Sequence, residues 1–110
     1  MSLAGKWRII EMPDFGTDYP DLVEPAYIIF NNDGFGEFAF GCVTGHIWAA
    51  STAEAEFIDF SWKGSDEMEE VAGDGDAELQ QDGSLHGEFS FHNGDECSFI
   101  AQKWTFSTAC

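Results

Sequence analysis

Positive charge is what this chain has least of. Four Lys and Arg stand against 21 Asp and Glu, a net charge of −17 over 110 residues. Such a field repels nucleic acid and anionic membrane surfaces, so neither is expected as a partner. It attracts basic partners and cations, and it also serves solubility or life in high salt. Three prolines leave few forced breaks. The three cysteines, Cys42, Cys97 and Cys110, are odd in number and far apart in sequence. That pattern argues against a disulfide framework or a cysteine metal site and for a reducing compartment. No run approaches the roughly 18 apolar residues of a membrane-spanning helix, and the opening "MSLAGKW" carries no apolar signal segment. A soluble cytoplasmic protein is the expectation. No helix-period stretch of useful length and no internal repeat occur. Phosphate-binding loops, paired-histidine zinc helices, nucleophile elbows and dinucleotide fingerprints are missing too. "GDGDAELQQDGS" fails as a calcium loop, with Leu79 where glycine and Leu85 where glutamate are needed. No cofactor is expected.

What is abundant is aromatic and turn-forming. Eleven Phe, four Trp and two Tyr favour strands over helices, and twelve glycines punctuate the chain. Eight short apolar runs follow one another: 5–12, 26–31, 35–43, 47–50, 56–62, 70–79, 85–92 and 97–106. "NNDGF" and "QQDGS" each carry Asp-Gly, a tight-hairpin signal, because the turn needs positive φ; "NGD" serves similarly. Alternation sets the facing. Ile58, Phe60 and Trp62 share one side of the fifth run. In the sixth, Val71, Gly73, Gly75, Ala77 and Leu79 face in, opposite an acidic side. In the seventh, Leu85, Gly87, Phe89 and Phe91 face in. Consecutive hairpins make a meander, and eight strands can close on themselves, which removes exposed edges. The reading is one all-β domain spanning 1–110, an eight-stranded antiparallel up-and-down β-barrel. Trp7, Phe30, Phe38, Phe40, Trp48, Phe60, Trp62, Phe89, Phe91 and Phe99 are candidates to fill it.

Gly5-Lys6-Trp7 on a first strand, then a long loop and an eight-stranded meander, resembles the calycin group: lipocalins, fatty-acid-binding proteins and avidins. The stretches "GKWRI", "FGEFAFG", "FSWKGSDEM" and "HNGDECSFIA" also resemble a family of small uncharacterised bacterial proteins. The calycin resemblance implies that a basic residue near the last strand packs across the first-strand Trp. Lys103 is the match, and it stands where lipocalins carry Arg. In a closed meander the last strand ends beside the start of the first, so Lys103 over Trp7 is expected as a cation–π contact of about 0.5–2 kcal/mol.

Strand order assigns the connections to ends. The first, third, fifth and seventh ("PDFGTDYPDLVE", "TGH", "KGSDEME", "NGDE") share one end, which holds the longest loop. Phe15, Tyr19, His46, Trp62, Asp66, Glu67, His92 and Asp95 are therefore the candidate site, an acidic and aromatic pocket mouth for a small molecule. His46 and His92 with Asp66, Glu67 or Asp95 are also sensible metal ligands. Three function classes stay open: a non-enzymatic small-ligand-binding barrel, an acidic interaction module for a basic partner, and a metal-dependent or acid–base enzyme at the mouth. Ile10, Met12, Tyr27, Ile29, Ile100 and Trp104 are expected to point outward on three adjacent strands and form the face of a homodimer.

Overall fold

The computed structural model describes residues 4–13, 25–31, 33–49, 56–92 and 94–104. They form β1 (Gly5–Glu11), β2 (Tyr27–Phe30), β3 (Phe35–Phe40), β4 (Val43–Ala49), β5 (Phe57–Asp66), β6 (Glu69–Leu79), β7 (Leu85–Phe91) and β8 (Glu96–Lys103). Each strand pairs antiparallel with the next, and β8 returns to β1, closing the barrel in sequence order. No helix occurs among the described residues. This is the all-β, up-and-down barrel expected, and its strand layout is compatible with the calycin resemblance.

Three local expectations need correction. First, the third connection is the tight turn at Gly41 and Cys42, not "TGH". Gly41 takes the positive φ (55°) that such a turn requires, so Val43–Ala49 forms one uninterrupted strand. The fifth connection likewise shrinks to Glu67 and Met68, both at positive φ, and β5 runs on to Asp66. Second, the longer β4 puts Ile47 inside and Trp48 outside, 47% exposed. Third, Met12 is buried rather than outward. A β-bulge explains it: Ile9 pairs Ala101 but Glu11 pairs Ile100, leaving Ile10 as the extra residue. Ile10 and Glu11 both end up outside, and the alternation resumes with Met12 facing in.

The interior is occupied by rings. Phe38 on β3 and Phe89 on β7 come from opposite sides of the eight-membered ring of strands, yet their centroids are 4.5 Å apart. Phe40 reaches Phe89 at 5.2 Å and Phe99 reaches it at 5.0 Å, while Trp62 stands edge-on to Phe38 at 5.3 Å. Eight aromatic side chains are buried, and the rings of Phe38, Phe60 and Phe99 fit because glycines face them across the strands. A Cβ at Gly45 would sit 2.7 Å from the Phe38 ring, at Gly75 2.6 Å from Phe60, and at Gly87 2.7 Å from Phe99. These pairs are directly opposite in register, so each glycine makes room for its neighbour's ring.

At the barrel's terminal end the expected contact of Lys103 with Trp7 is present. Lys103 Nζ lies 5.0 Å from the Trp7 ring centroid and donates to the Ala4 carbonyl at 2.5 Å. A Cβ on Gly5 would fall 2.5 Å from that ammonium, and Gly5 has φ of 119°. Glycine at the head of the Gly-x-Trp motif is thus what lets the lysine cross.

Candidate functional site

The expected mouth can now be located residue by residue. Phe15 and Tyr19 lie outside the described residues. Trp62 is 1% exposed inside the barrel, and its indole N–H donates to the Asp74 carbonyl at 3.1 Å. It is a filling ring whose polar atom is already satisfied, packed edge-on to Phe91 at 5.0 Å. Asp66 ends β5, and Glu67 follows in the turn. His92 and Asp95 flank the connection after β7. These four share the long-loop end of the barrel.

His46 does not. It sits in mid-strand on β4, exposed on the outer wall between Glu37 and Lys63 in register. Its row continues through Lys63 to Ala72, whose carbonyl accepts from the His92 N–H. The two histidines are thus three strands apart, about 14 Å along the sheet. A single ion with bonds near 2 Å cannot join imidazoles so placed. Among the described residues no group of three or more His, Cys, Asp or Glu could hold a metal ion. The Cys42 thiol donates to the Glu67 carboxylate. That bond first, then burial and the charges of Glu67 and Asp66, push its pKa up, the opposite of an activated nucleophile.

The wall opposite β1 carries the feature that sequence reading passed over. On β5, β6 and β7, Asp59, Asp76 and Glu88 stand directly opposite one another, an uninterrupted row of like charges across three strands. Glu78 and Asp74 flank Asp76 along β6. Burial, and then the charges of Glu88, Asp59 and Glu78, raise the Asp76 carboxyl pKa above its ordinary value. Like charges directly across a sheet are destabilising, so the row costs the fold stability. The alternation of β6 had indicated an acidic side; the cross-strand row depended on register, which no single run displays.

Two shallow grooves border this row. One, of about 450 Å3, is lined by Trp48, Asp59, Ser61 and Asp74; the other, of about 440 Å3, by Phe57, Glu78, His86, Glu88 and Ile100. Phe35, Trp48 and Phe57 are the large exposed rings beside them. The β8–β1–β2 wall is different. There Lys6 Nζ lies 4.3 Å from the Trp104 ring centroid and 4.8 Å from that of Tyr27, and the Arg8 guanidinium is 5.9 Å from Trp104. Tyr27, Ile29, Ile100 and Trp104 are half-buried there and Ile10 is exposed. No helix among the described residues is long and apolar enough to cross a membrane. No family model, curated protein or solved structure matches the chain.

Proposed function

We propose that the protein is an acidic interaction module that binds a basic protein partner through the outer wall of β5, β6 and β7. The observation that carries this reading is the contact between Phe38 and Phe89 across the full width of the barrel. It leaves no room at that level for a ligand, which supports a reading in which recognition lies on the outside. The unneutralised row Asp59–Asp76–Glu88 then supplies the electrostatics, since a basic partner relieves a repulsion that the free protein must bear. Kinship with the calycins belongs to the same proposal, supported by the barrel order and by Lys103 over Trp7. So does self-association through the β8–β1–β2 wall, without Met12.

The test uses a ten-residue peptide of alternating Lys and Gly, followed by calorimetry. Binding is expected to weaken at least tenfold between 50 and 300 mM salt, as the Debye length falls well below ~10 Å. The combined variant Asp59→Asn, Asp76→Asn, Glu88→Gln should lose most of it. Binding that ignores the triple variant overturns the assignment to this wall.

A second reading, a small molecule at the long-loop end, draws on one observation. A groove of about 320 Å3 there is lined by Glu69, Glu70, Val71, Ala72, Phe91 and His92. Native mass spectrometry of protein from its own host tests it: a retained mass, lost on Phe91→Ala, supports this reading, and a clean polypeptide mass removes it.

A further inference from the structure

We infer that the groove beside Trp48, on the outer face of β4, β5 and β6, seats an arginine side chain of the basic partner. This deepens the interaction-module reading and rests on it. The molecule seats most of its own cations on aromatic rings. Of its four Lys and Arg, Lys103 lies over Trp7, Lys6 over Tyr27 and Trp104, and Arg8 over Trp104. Lys63 stands one row from Trp48, opposite His46. Trp48 carries no cation among the described residues, although it is 47% exposed and continues into Phe35, 59% exposed and directly opposite in register.

Beside Trp48 the same row runs Ser61 then Asp74. Asp74 is a positioned carboxylate. One oxygen accepts from the Ser61 hydroxyl at 2.9 Å and the other lies 3.8 Å from His92 Nε2. Asp59 lines the same groove from the neighbouring row. An aromatic face with carboxylates one and two strands away suits a planar cation that stacks and forks at once. Guanidinium does both, stacking on indole and pairing two N–H groups with one carboxylate, whereas an ammonium offers a hydrated point charge. Charge alone attracts Lys and Arg equally; the ring beside the acids is what prefers Arg.

Two decapeptides separate these ideas, one of alternating Arg and Gly, the other of Lys and Gly. The expected result is Arg binding roughly two- to fivefold tighter than Lys, the worth of an exposed cation–π contact. Trp48→Ala should erase that preference by weakening the Arg peptide more than the Lys peptide, and Trp48→Phe should keep part of it. In the unaltered protein the indole N–H resonance of Trp48 should move on titration with the Arg peptide while that of buried Trp62 stays, a readout independent of any variant's folding. Equal affinity for the two peptides, or a stationary Trp48 signal, overturns the arginine site and leaves the acidic-module reading standing. Failure of both peptides to bind overturns both.

Discussion

Phe89→Ala tests the claim on which the functional argument turns. Phe89 is fully buried and meets Phe38, Phe40 and Phe99 within about 5 Å, with Phe60 and Trp62 just beyond. Re-exposing a buried phenylalanine's worth of apolar surface costs about 1.5–3 kcal/mol. A void on the order of 100 Å3, at about 24 cal/mol per Å3, adds roughly 2 kcal/mol, because closed-barrel strands relax little. The sum, about 4–5 kcal/mol, is a large part of the ~5–15 kcal/mol that holds a domain together. Urea titration followed by tryptophan fluorescence and near-UV circular dichroism should give a much lower midpoint at unchanged slope, and a Tm lower by about 15–25 °C. Benzene should restore part of the loss, since a dry apolar void takes up such a molecule. A loss under about 1 kcal/mol would mean that Phe89 borders open space. The barrel would then be hollow at that level, and the small-ligand reading would displace the interaction module.

Three further outcomes follow from the same geometry. Gly75→Ala places a methyl against the Phe60 ring and the Glu88 carbonyl and should cost about 1–3 kcal/mol in urea midpoint analysis. Lys103→Met removes the charge over Trp7 and the bond to the Ala4 carbonyl, so it should cost about 0.5–2 kcal/mol, with Lys103→Arg costing less. Asp76 has a folded-state pKa above its unfolded one, so the native state binds the proton more readily and its penalty is complete above the folded value. Asp76→Asn should therefore raise Tm at pH 7, and the gain should fade as pH drops through the raised pKa toward the unfolded one; a gain constant from pH 7 to 4 would count against this origin.

The fold was legible because its signals are local. Asp82-Gly83 sits at a hairpin, with the Asp82 carboxylate accepting from the backbone N–H of Ser84, and the expected alternation shows in the burial of Leu85–Phe89 on β7 and in the buried Gly73 and Ala77 on β6, where the rest of the inward set is half-buried. The errors lie where a single residue changes the phase. Reading "TGH" as a turn broke β4 in two and sent His46 to the mouth and Trp48 to the core. One bulge residue, Ile10, turned Met12 inward. The candidate site fared worse than the fold because it was assembled from loop assignments. His46 was lost to a shifted turn, and Trp62 was claimed by the interior. The row Asp59–Asp76–Glu88 could be found only from the pairing register of three strands, a non-local quantity.

That row also changes what the aromatic richness means. Rings meeting across the barrel and glycines cut back to admit them make an interior that is stable but closed. A core that supplies stability by burial alone can tolerate a wall whose like charges oppose folding, where burial first and then the charges of Glu88, Asp59 and Glu78 raise the Asp76 carboxyl pKa. Three of the four Lys and Arg are engaged elsewhere, Lys6 and Arg8 with rings on the β8–β1–β2 wall and Lys103 at the terminal end over Trp7, and Lys63 stands on β5 outside the row Asp59–Asp76–Glu88. Keeping Lys6, Arg8 and Lys103 off the acidic wall, with Lys63 alone on β5, strengthens the field over the row. If the charge served solubility alone, placing more of the cations within the row would have cost little and relieved the repulsion, and their position elsewhere is in line with the proposed recognition of a basic surface.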